Sequence, residues 1–204
     1  MHVAVIDIGK PNKNLGWSMV GPTSVEGTDL DECVTRMASA LSEGPLALGF
    51  EAPMYVPVRS VPDDLTKARN GECRDGVNRP FSASAGSTVT VTAMVVVPYV
   101  LAGLRRLVPT GKATLGWKSY FQEPKGLLLF EAFVTNQNKS TDTRHVEDAR
   151  LAANHLFERA SSGSAILSAV NEPSCFNMLG AMMLRTGWTD SLDVVSEECL
   201  VIRP

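Results

Sequence analysis

Four acids stand where an apolar chain has no ordinary use for a charge. Asp7 follows "HVAVI", Glu51 follows "LALGF", Glu131 follows "LLLF", and Asp148 lies beside Glu147 in "HVEDARLAA". The first three stretches read as buried strands and the fourth as a helix. An ionised carboxylate in such a place is costly unless it is paired, hydrogen-bonded or bound to metal. One acid at a strand end is most often a turn or cap acceptor. Three in matching strands, joined by a helical acid, point to a shared ligand. Neighbouring strands lie about 4.8 Å apart, so acids on one sheet face can share a cation. A helix packed across that face could add Asp148. Such an all-oxygen cluster suits Mg²⁺ or Mn²⁺ rather than zinc. Two such ions about 4 Å apart would activate a water and stabilise the leaving oxygen of a phosphodiester.

The elements that must position these acids can be read from periodicity. Residues 2–8 form a strand bounded by Gly9 and Pro11, 15–20 a second, and a short third is expected near Val25, giving an antiparallel meander. Leu30, Val34, Met37 and Leu41 recur at helical spacing, so 29–42 reads as a helix capped by Asp29 or Thr28. Residues 46–54 read as a buried strand ending in a carboxylate, Glu51, and 125–135 as another bearing one acid, Glu131. Residues 87–107 are too long for one strand and read as a helix kinked near Pro98. Residues 141–160 form the clearest helix. If its Ala149, Ala152 and Leu156 face the core, Asp148 lies at the edge of that face and Glu147 more nearly outside it. A last helix is expected over 174–187, with Gly187 as its C-cap, and a short strand closes the chain. A meander followed by alternating helices and strands implies an α/β fold: a mixed sheet, antiparallel first and then parallel, flanked by helices.

Residues 55–86 break the pattern. They hold Pro57, Pro62, Pro80, Gly71, Gly76 and Gly86, with the cations Arg59, Lys67, Arg69, Arg74 and Arg79. So long an irregular stretch inside a domain is usually functional or mobile. Arg74 and Arg79, in this insertion that follows Glu51, are candidate substrate-binding residues because arginine meets phosphate bidentately; the bland alternative is a solvated loop with internal ion pairs around Asp75. Lys10, with Asn12 and Asn14, follows Asp7 and could touch phosphate, or simply make a polar turn. His145 stands three residues before Asp148 on the same helix, so both can face one way. It could protonate a leaving group, although a surface or capping role is the commoner fate of such a histidine.

The 204 residues fit one domain, 1–204, carrying the irregular insertion at 55–86. Hydrophobic residues make up 44% and charged ones 20%, leaving ample material for a core. The formal net charge of −3 argues against a general nucleic-acid coat but leaves room for an enzyme with a local basic patch. Cys33, Cys73, Cys175 and Cys199 are scattered without a C-x-x-C pair, which argues against zinc and against a disulfide framework. No apolar run reads as long and uninterrupted enough to span a bilayer, and no signal peptide opens the chain, so a cytoplasmic protein without a membrane partner is expected. A homo-oligomer is open. Trp17, Trp117 and Trp188 are too dispersed to form a stacking platform for bases, and no phosphate-loop or dinucleotide fingerprint occurs.

The order strand-Asp-x-Gly, strand-Glu-x-Pro ("FEAP"), strand-Glu ("LLLFEAF") and helix-Glu-Asp-Ala ("HVEDARLAA") resembles the RNase H-like superfamily in its RuvC/YqgF-like branch. It is most similar to a bacterial family of predicted RNase H-like nucleases, in which an Arg/Asp-rich segment, here "ECRDGVNRPFSASAG", follows the second acid. The likeness runs through about residue 160. It implies an RNase H-like mixed sheet and a Mg²⁺- or Mn²⁺-dependent nuclease acting on DNA or RNA. Asp7 is then the central metal ligand, Glu51 and Asp148 complete the set, and Glu131 is an auxiliary or alternative catalytic ligand. The closing helix departs from the family in carrying Glu147 beside Asp148 rather than a spaced Asp pair. Two other classes fit the same sheet. One is a nucleotide-binding or phosphotransferase protein of actin-like type, which usually needs two domains and Gly/Thr/Ser-rich phosphate loops. The other is a non-catalytic RNase H-like binding module.

Overall fold

Side-chain alternation decides which way each strand faces, and two helical layers receive the two faces. The computed structural model describes residues 1–11, 13–73, 80–134 and 144–204, the side chain of Arg144 apart. The meander is β1 (His2–Asp7), β2 (Gly16–Val20) and β3 (Val25–Gly27), paired antiparallel. Helix α1 (Leu30–Glu43) follows, its N-terminus capped by Asp29, whose Oδ1 accepts the Glu32 N–H at 2.7 Å. Strand β4 (Leu46–Glu51) then pairs parallel with β1. After the insertion come α2 (Ser84–Leu107), β6 (Ala113–Thr114), α3 (Trp117–Gln122), β7 (Leu127–Ala132) and α4 (Arg144–Ser161). The chain ends through β8 (Cys175–Asn177), α5 (Met178–Arg185) and β9 (Val201–Ile202). The insertion contributes β5 (Tyr55–Pro57), which pairs antiparallel with β8 in a separate two-stranded ladder.

The main sheet has the order β3-β2-β1-β4-β7-β6, with β9 also beside β7. The fold is therefore α/β with a mixed sheet, antiparallel at one side and parallel through β1, β4, β7, β6 and β9. Ala4, Ile6, Leu46, Leu48, Phe50, Leu127 and Leu129 face a core shared with α1, α2 and α5. Val3, Val5, Ala47, Leu128 and Phe130 face the opposite layer, where Ala149, Ala152, Ala153 and Leu156 of α4 lie across β1 and β2. Alanines on that helix let it sit close to the sheet.

Two expectations need correction. The stretch 174–187 is not all helix: Cys175–Asn177 is a strand, and Asn177 then caps α5 by accepting the Gly180 N–H at 3.0 Å. A three-residue strand is too short to show its period in sequence. Residues 55–73 of the insertion form a strap with one short strand, β5, and one 3₁₀ turn, Pro62–Asp64. Its order comes from polar bonds: Arg59 donates to the carbonyls of Asp64, Lys67 and Ala68 and pairs with Glu172 at 3.0 Å. Finally, by length and composition α2 is apolar enough to cross a bilayer, against the expectation that no run reaches that mark. Here its Ala93, Val97, Val100, Leu101 and Leu104 are packed in the core, and the helix runs on through Pro98.

Candidate metal centre

Asp7 ends β1 on the same face as Val3 and Val5, so it points towards α4. The parallel register sets Glu51 directly opposite it, and Glu51 shares the face of Ala47. Asp148 comes from the first turns of α4, one residue before the buried Ala149. One carboxylate oxygen from each of Asp7, Glu51 and Asp148 lies within 4.8 Å of the others. Asp7 and Asp148 are buried and Glu51 is half-buried. The all-oxygen donor set fits a hard divalent ion.

Comparison with family models, with curated proteins and with solved structures finds no match. His145 Nδ1 lies 2.6 Å from Asp7 Oδ2. An ionised carboxylate only accepts, so Nδ1 carries the proton of that bond. This contact fixes Asp7 from the α4 side. It became possible because Gly16, the register partner of Asp7, has no side chain. A Cβ there would lie 2.4 Å from the Val146 nitrogen and 2.5 Å from the His145 carbonyl carbon. The first turn of α4 thus rests on the bare backbone of β2, bringing His145 and Asp148 down to the sheet.

A cavity of about 490 Å³ opens beside the carboxylates and reaches from Asp7, Glu51 and His145 to Phe81, Ser84 and Gly86. Its far wall is the first turn of α2, capped at Ala83, which has no side-chain acceptor to offer. The first N–H groups of a helix lack intrahelical partners, and the dipole makes that end attractive to anions. Lys10 is exposed and lines an adjoining cleft with Asn14 and Thr88, not this cavity. Arg74 and Arg79 lie outside the described residues.

Glu131 is not brought to the cluster. Its register partner on β4 is Phe50, one residue short of Glu51, so it points to the opposite sheet face. There it is fully buried against Arg69, with Nη2 to Oε1 at 2.6 Å and Nη1 to Oε2 at 2.8 Å. Arg69 also binds Glu72, with Nη2 to Oε1 at 2.9 Å. Burial works against the Arg69 charge, but Glu131 and Glu72 outweigh it and push the guanidinium pKa up. Burial first, then the neighbouring carboxylates, raises the Tyr55 and Cys199 pKa values and takes Cys175 up to about 11. Expecting Glu131 as a catalytic ligand treats two similar motifs, "GFEAP" and "LFEAF", as if they were in register. The structure offsets them by one. The partner, Arg69, was visible only as one cation among several in the strap.

Proposed function

We propose that this chain is a Mg²⁺- or Mn²⁺-dependent phosphodiester hydrolase of RNase H-like type, acting on nucleic acid in the cytoplasm. The convergence of Asp7, Glu51 and Asp148 within 4.8 Å carries the reading. The strand order and the position of the acids at the C-terminal ends of parallel strands are consistent with it. A bound divalent ion would lower the pKa of a coordinated water and offset charge at phosphorus. The chain's own residues do the rest. Asp7, Glu51 and Asp148 would hold the ion. His145 keeps Asp7 oriented and borders the cavity. The first turn of α2 faces the same cavity, where its N–H groups would receive a phosphate oxygen.

The test is a Mn²⁺ titration followed by cleavage assays on labelled single-stranded, duplex, hybrid and branched nucleic acids, with Asp7→Asn as the paired control. Mn²⁺ binding and metal-dependent cleavage, both lost in Asp7→Asn, are the expected results. Cleavage that survives Asp7→Asn removes the site. Specific ATP binding without any cleavage would favour the nucleotide-binding class. Mn²⁺ binding with nucleic acid bound but uncut would favour a binding module.

A further inference from the structure

On the sheet face opposite the carboxylate cluster, Arg69, Glu72 and Glu131 are each at most 2% exposed. All five N–H donors of the Arg69 guanidinium are used: two on Glu131, two on Glu72 and one on the Tyr55 carbonyl. The ring of Tyr55 lies under the guanidinium, 4.8 Å from its carbon. Among the described residues, two carboxylates share this one cation. Such a cluster is a poor source of stability compared with apolar side chains of similar volume.

It holds the turn that aims Glu51. The Ala52 N–H bonds the Phe50 carbonyl at 2.9 Å, making Glu51 the centre of a three-residue turn. The turn's exit is fixed two residues on, where the Met54 N–H donates to Glu131 Oε2 at 2.8 Å. The Met54 carbonyl in turn accepts from the Met178 and Leu179 N–H groups at the start of α5. Glu51 projects to one face of the sheet while the chain leaves on the other, and Glu131 meets it there. Pro53 sits between Ala52 and Met54 and stiffens the link.

We infer that the buried Arg69–Glu72–Glu131 cluster is a positioning device for Glu51, so that Glu131 serves the metal centre from the far side of the sheet without touching the ion. The inference rests on the proposed metal reading, since it names what orients one of the three ligands. Glu131 and Arg69 are positioning residues, not catalytic ones.

The deciding experiment measures Mn²⁺ affinity by calorimetry and unfolding midpoint in EDTA, for wild type, Glu131→Leu, Glu131→Gln and the triple variant R69M/E72L/E131M. The triple variant removes every buried charge together, so its midpoint is expected to stay at or above wild type. Its Mn²⁺ affinity is expected to fall at least about tenfold, as for removal of an outer partner of a metal ligand. Glu131→Leu should fall similarly. Glu131→Gln keeps a carbonyl oxygen for the Met54 N–H and should recover most of the affinity. Wild-type affinity in the triple variant and in Glu131→Leu would overturn the inference, as would a Glu131→Gln no better than Glu131→Leu. If the triple variant does not fold, the Leu/Gln pair decides. If wild type binds no Mn²⁺, the metal reading itself fails. A crystal structure of Glu131→Leu then judges the inference alone: Glu51 swung away from Asp7 supports it, and Glu51 unmoved refutes it.

Discussion

Asp7 makes its case through its neighbours. Its oxygens meet His145 on one side and share a space within 4.8 Å with Glu51 and Asp148 on the other. Replacing His145 by Ala removes the orienting bond but no ligand, so Mn²⁺ affinity is expected to fall by about 10–100-fold with the fold intact; titration calorimetry beside circular dichroism checks both halves. Arg69 behaves differently. Arg69→Met alone leaves two buried carboxylates without their cation, a loss expected to cost about 3–5 kcal/mol in urea unfolding. Much of this was legible in the sequence. Asp7, Glu51 and Asp148 each interrupt an apolar pattern at the end or edge of an element, and each proves to face the same space. Glu131 looked the same and is not, because a strand's period is two and a one-residue offset in register reverses its face. No local pattern reports that offset.

At the scale of elements, the site depends on α4 lying close across β1 and β2. Gly16 permits this, and Gly16→Val is expected to lift the first turn of α4, weaken Mn²⁺ binding at least tenfold, and cost about 1–3 kcal/mol as overpacking. The same two measurements, calorimetry and urea unfolding, read it. The strands and long helices were readable because their apolar positions recur with periods of two or 3.6. The strap over residues 55–73 was not, since its ladder has three residues a side and its remaining order comes from Arg59, Arg69 and Glu172 bonding across long sequence separations. Polar networks of this kind leave no periodic trace. Likewise Asn177, which begins α5, ends a strand first.

For the whole molecule, two histidines set a pH dependence away from the proposed metal centre. Burial first lowers the pKa of His2 in β1 and of His155 in α4 below 6.5. The unfolded chain therefore binds more protons than the folded one as pH falls through about 6.5. Stability from these groups is complete above that pH and is lost as pH drops towards their folded values. Urea midpoints at pH 7.5 and 5.5 in EDTA should show this loss in wild type and a smaller one in H2Q/H155Q. Metal binding is the larger lever. A ligand at about 100 times its Kd stabilises by about 2.7 kcal/mol, and about 1 kcal/mol moves Tm by about 2–4 °C in a chain of this size. Thermal unfolding with and without Mn²⁺, on wild type and Asp7→Asn, tests the central claim most directly. The carboxylate centre predicts a Tm rise of about 5–11 °C with Mn²⁺ in wild type and none in Asp7→Asn. No shift in wild type, or an equal shift in both proteins, would contradict it.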